Sequence, residues 1–166
     1  MINLTQTFTL LTPCFCTGAD QNQAEIRSAS IRGQLRWWFR ILGGTPEMEN
    51  NVFGGVHNDT KASRIILRLT DSKPIYGQPG MLPQRNNTPG YYLFHFAKVS
   101  NGGIRYQKKA FLAPGSTFTV QCLERKTMDR EEQRLLEKSW RAFSLLGALG
   151  LRATRACGAF QTEGLT

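Results

Sequence analysis

Apolar residues stand at Ile31, Leu35, Trp38, Phe39 and Leu42, that is at i, i+4, i+7, i+8 and i+11. This spacing predicts an amphipathic helix with one wide apolar stripe. Ser30 is the expected N-cap, and Gly43-Gly44 is the expected stop. A second helix is predicted from the capping box Asp129-x-x-Glu132 to about Leu149, with Leu135, Leu136, Phe143, Leu146 and Leu149 turned inward. Alternating or Thr-rich apolar runs predict strands over residues 2–11, 63–70, 91–99, 117–123 and 157–162. Residues 45–62 are expected to be a connection, and residues 71–90 a long Pro/Gly/Asn-rich loop. The order strand, helix, strands, helix, strand is the split βαβ arrangement of an α+β, ferredoxin-like (RRM-like) domain. It predicts an antiparallel sheet, two main helices and inserted hairpin and loop material.

Charge adds a direction to this outline. The 166 residues suit one domain, and 21 Lys and Arg against 12 Asp and Glu give a net charge of +9. Residues 61–126 hold 11 of the basic and only 2 of the acidic groups. Such an excess favours a polyanionic partner. Cys14-x-Cys16 lacks metal-site spacing, Cys122 and Cys157 offer no second pair, and His57 and His95 are isolated. No metal or other cofactor is expected. The absence of a signal sequence and of a membrane-length apolar run leads to the expectation of a cytoplasmic protein with reduced thiols and no membrane partner.

The candidate binding residues fall in three groups. Arg32, Arg36 and Arg40 form a cationic stripe on the first helix, and no acid lies between Glu25 and Glu47 to pair with them locally. Arg27, Ser30, Gly33 and Trp37 accompany that stripe. Trp37 lies off the apolar stripe and is suited to stack on a base, whereas Trp38 lies on the stripe and is expected to pack. Gly150, Arg152 and Arg155 form a turn after the second helix, where backbone N–H and guanidinium groups suit phosphodiester oxygens. Lys98, Arg105, Lys108 and Lys109 complete the basic set. Catalytic means are sparse. No histidine lies on the first loop or helix, and Asp20 and Glu25 are the carboxylates before it.

These stretches together resemble the RAMP superfamily of CRISPR effector proteins, and within it the family of the first subunit of the type III-B Cmr complex. Four segments carry the resemblance: Leu11-Thr12-Pro13 through Gly18-Ala19-Asp20; Glu25-Ile26-Arg27 through Arg40; Glu49 with Val52-Phe53-Gly54; and the turn 147–160. In the turn, Ala148 and Ala156 stand where glycine is common, Thr154 where a basic residue is common, and Cys157 where an aromatic is common. The resemblance implies a ferredoxin-like RAMP fold and membership of an RNA-guided antiviral complex. It also implies contact with guide (crRNA) and target RNA beside other effector subunits, with no catalytic role. Members of the family usually carry a second RAMP domain, and residues 1–166 are expected to form one. Two other functions fit the residues less well: a metal-independent endoribonuclease of the RAMP type, and a protein–protein adaptor whose arginines meet acidic subunits.

Overall fold

Ile31, Leu35 and Phe39 are completely buried, and the rest of the chain is arranged around that stripe. The computed structural model describes residues 1–55, 60–78, 81–82 and 110–164. Strand β1 (Asn3–Leu10) is followed by helices α1 (Ser28–Ile41) and α2 (Pro46–Phe53), then by strands β2 (Ile65–Lys73) and β3 (Thr117–Glu124). Helix α3 (Arg130–Leu146), a short 3-10 turn (Ala153–Arg155) and strand β4 (Phe160–Thr162) complete it. The sheet order is β2-β3-β1-β4, with every neighbouring pair antiparallel. This is the expected α+β, ferredoxin-like architecture.

Strand alternation sorts the side chains between two faces. Phe8 and Leu10 of β1, Phe118, Val120 and Cys122 of β3, and Ile65 and Leu67 of β2 form one core with the helices and Phe160. Phe8 stacks on Phe118 with ring centres 5.0 Å apart, and the ring of Phe160 meets Phe8 edge-on at 4.9 Å. Strand register puts Thr5, Thr7, Thr9, Thr117, Thr119, Gln121 and Gln161 on the opposite face. There Thr7 and Thr119 share a hydrogen bond of 2.9 Å across the strands.

Several boundaries differ from expectation, each for a local reason. Helix α1 starts before Ser30: Arg27 is its N-cap, in extended conformation and with no side-chain cap. Ser30 instead sits in the first turn, with its hydroxyl 3.6 Å from the Cys16 sulfur. Leu42 is the C-cap rather than a stripe residue and is 39% exposed. Helix α3 has the predicted capping box, yet ends at Leu146, which is 73% exposed. Leu149 is buried from the following turn, not from the helix. The last strand begins at Phe160 because residues 147–158 are taken up by that turn.

Helix α2 falls where a connection was expected. Its start is fully specified: the Thr45 hydroxyl accepts from Met48 N–H at 3.2 Å, Pro46 opens the helix, and Glu47 and Glu49 occupy the first turn. The strands expected at 91–99 and the hairpin segment up to residue 109 lie outside the described residues.

Candidate nucleic-acid interface

The guanidinium groups of α1 are anchored from one side by α2 and the chain that follows it. Arg36 Nε donates to Glu49 Oε1 at 2.6 Å, and Arg40 Nε lies 3.7 Å from Glu49 Oε2. The Glu49 side chain is only 8% exposed. A buried carboxylate is costly unless it is paired and hydrogen-bonded, so the two arginines are what makes Glu49 tolerable there. Arg32 Nη1 donates to Phe53 O at 3.1 Å and to Ser63 Oγ at 2.9 Å. Burial, the largest influence, lowers the Arg32 pKa from its ordinary value. No acid near in sequence pairs with Arg36 and Arg40, as expected, but one does in space. The partner comes from thirteen residues beyond Arg36, on a helix that apolar periodicity did not reveal. Arg36 is half-buried and Arg40 is exposed, so the stripe is an ordered edge rather than a row of free side chains.

The rest of the first site group lies along the same helix. Arg27 is exposed and its Nε lies 3.8 Å from Glu25 Oε1. A Cβ on Gly33 would meet nothing within 4 Å among the described residues, and the helix presents backbone there. Trp37 is 46% exposed, with its ring 4.8 Å from that of the half-buried Trp38 in an edge-on contact. Trp38 packs against the core, as expected. Its indole N–H has no hydrogen-bond partner among the described residues.

The glycines of the turn after α3 allow a close approach of backbone to backbone. Gly158 N–H donates to Pro13 O at 2.9 Å, and Leu151 N–H donates to Phe15 O at 3.0 Å. Thr12 Oγ1 both donates to Ala156 O at 2.6 Å and accepts from Ala159 N–H at 2.9 Å. A Cβ on Gly150 would lie 2.6 Å from Phe15 O, and one on Gly158 would lie 1.8 Å from Leu149 O. Both glycines have positive φ. They let the turn 147–158 lock onto the loop after β1. Arg152 and Ala156 take the left-handed conformation, which is unusual for residues with a Cβ. Arg155 is exposed, whereas Arg152 is half-buried. Cys157 is buried in a small second core with Phe15, Phe111, Ala113 and Leu82. Lys98, Arg105, Lys108 and Lys109 lie outside the described residues, as do His57 and His95.

The sequence model of the RAMP superfamily matches residues 7–161. The chain belongs to the RAMP superfamily. It is similar to the CRISPR system Cmr subunit Cmr1-2 of Pyrococcus furiosus. The two are 30% identical over 92% of this RAMP chain and 91% of the relative. Cmr1-1 of the same organism is 27% identical over 82% of this chain, but the match spans only 40% of that protein. Among solved structures, apo Cmr1 from Pyrococcus furiosus superposes with a TM-score of 0.66 at 24% identity, over 98% of this chain and 50% of the other. A chain of a type IV-B CRISPR complex gives 0.62 at 14% identity, over 97% of this chain and 89% of that one. A chain of a type III-B Cmr-beta complex bound to cognate target RNA gives 0.56 at 14% identity, over 95% and 53%. The family of the first Cmr subunit, suggested by the four sequence segments, is thus the right one, and the structural likenesses carry the fold.

Three residues central to the site of this RAMP chain were not among those singled out for binding: Glu49, Phe53 and Ser63. A usable signal existed, since Thr45-Pro46-Glu47 is a helix-start pattern that places Glu49 on a helix. The Asp20 carboxylate accepts from Asn22 N–H at 2.8 Å and so closes its own loop. Among the described residues no group of three His, Cys, Asp or Glu side chains is placed to hold a metal ion, and no helix is long and apolar enough to cross a membrane.

Proposed function

We propose that this RAMP chain is a guide-RNA-binding subunit of a type III-B CRISPR effector, working inside the cell beside other effector subunits and contributing no cleavage chemistry. The observation that supports it most is the ordered arginine edge of α1. Arg32, Arg36 and Arg40 are held by Phe53 O, Ser63 and Glu49, so much of the side-chain entropy cost of engaging phosphates is already met by folding. Arginine's planar fork keeps further donors for phosphate oxygens after one is used. Bare helix at Gly33 and the exposed ring of Trp37 complete a surface for backbone contact and base stacking. Such contacts are largely indifferent to sequence and suit a guide whose sequence varies.

The test is capture of the chain with its native assembly and sequencing of the RNA that comes with it. Repeat-derived guides are the expected result. An assembly without RNA would sink the proposal, and processed precursor released by the chain alone would point to the endoribonuclease. With the purified chain and a single-stranded RNA, neutralisation of about 4–6 phosphates gives a log K against log salt slope of roughly −3 to −4. A flat dependence would contradict phosphate contact.

A further inference from the structure

Helix α3 carries a row of four cations without partners among the described residues. Arg130, Arg134, Lys138 and Arg141 are all exposed. None of them makes an ion pair or side-chain hydrogen bond among the described residues. They fall at i, i+4, i+8 and i+11 and form one stripe about 16 Å long. Glu131 and Glu137 border this stripe, are exposed, and are not paired with it. The start of the stripe opens onto a groove shared with the end of α1, lined by Leu42, Gly43, Glu131, Arg134, Leu135 and Lys138. The helix start itself is closed by its capping box, so the site is the outer face and not the helix terminus.

We infer that the outer face of α3 is a second contact surface for the phosphate backbone of a single RNA strand. This rests on the reading of the chain as an RNA-binding subunit. Charge complementarity selects the occupant. A protein docking on a helix face needs an apolar core in the patch, with charge confined to the rim. Here charge occupies the centre of the stripe, with Leu145 the one large exposed apolar side chain among the four cations. Interfaces with nucleic acid are polar and strongly positive, which matches.

The experiment uses the purified chain, a fluorescent single-stranded RNA of mixed sequence and a series of salt concentrations. The quadruple variant Arg130→Ala, Arg134→Ala, Lys138→Ala and Arg141→Ala is expected to stay folded. It should bind about tenfold more weakly and with a salt slope shallower by about 2–3 units, since each lost phosphate contact removes about 0.7. The variant Glu131→Gln/Glu137→Gln removes the bordering negative charge and is expected to bind more tightly than the native chain. Unchanged affinity and slope in both variants, with native binding intact, would overturn the α3 surface and leave the α1 reading standing. Native RNA binding together with a quadruple variant that is lost only from the assembled effector would overturn it in favour of an acidic subunit on α3. Failure of the native chain to bind the RNA at all would overturn both readings.

Discussion

Arg36 and Glu49 meet at 2.6 Å across two helices that are joined by only a short turn. The pair is asymmetric, because the carboxylate is 8% exposed and the guanidinium 36%. Arg40 shares the same carboxylate at 3.7 Å but is itself 56% exposed. The two arginines should therefore separate in a stability measurement. Arg36→Ala leaves the buried carboxylate with its weaker partner alone and should cost about 2–3 kcal/mol, at or below the range for broken buried pairs because Arg36 is partly solvated. Arg40→Ala should cost at most about 1 kcal/mol. Urea unfolding of the two variants is the check, and equal losses would show that Glu49 does not depend on Arg36.

Gly33 stands inside α1 with open space where a methyl group would go. Gly33→Ala should raise stability by roughly 0.5–1 kcal/mol, the usual helix-interior difference. If RNA approaches the bare helix there, the same substitution should weaken binding. A variant that is more stable and binds RNA as well as the native chain would remove Gly33 from the interface.

The turn glycines should behave in the opposite way. Gly158→Ala drives a Cβ into Leu149 O, and Gly150→Ala drives one into Phe15 O, both at positive φ. Each should lower the melting temperature, Gly158→Ala by more, at a cost of at least about 2 kcal/mol. Binding per folded molecule should be nearly unchanged for both. Titration of RNA against the folded fraction separates this from a direct phosphate role for the turn.

Burial, followed by the nearby Cys16 and Cys157, pushes the Cys14 thiol from 9.0 up to about 12. The native fold thus favours the protonated thiol. Its contribution is fully present below the unfolded pKa, near 9, and is lost progressively as pH rises towards about 12. Stability measured from pH 8 to 11 should decline accordingly, and a Cys14→Ala variant should lose part of that decline. Alkylation of Cys14 at pH 8 should proceed only at the rate of unfolding.

Purified protein should not cut RNA in the presence or absence of Mg²⁺ or Mn²⁺. Asp20 is tied to the N–H of Asn22, and a lone carboxylate supplies neither both halves of acid–base catalysis nor a metal cage. Cleavage abolished by Asp20→Ala would overturn this.

The strand and helix order was legible from periodicity because Phe8, Leu35, Phe39, Phe118 and Phe143 obey the spacing of their elements. The capping box of α3 was legible for the same local reason. Glu49 was not, because its function depends on a partner thirteen positions away and on burial, which a short polar helix does not announce. The turn glycines were legible as places of close approach, but what they approach was not, since the carbonyls of Phe15 and Leu149 come near only in the fold. Spacing of charges along the chain did not decide pairing: Arg36 and Arg40, without nearby acids in sequence, meet Glu49 in space, whereas the cations of α3, with acids on either side, are unpaired among the described residues.

The face of the sheet turned away from the helices carries Thr5, Thr7, Thr9, Thr117, Thr119, Gln121 and Gln161 in register. In a domain of this topology that face is a natural platform for flat aromatic rings and the bases that lie on them. Hydroxyls and amides offer no such platform and exchange hydrogen bonds with water almost without preference. The same face carries the exposed Arg68 and Lys73 of β2, in register with Gln121 and Thr117, so a nucleic acid lying on it would be held by charge along the sugar–phosphate chain and not by stacked bases.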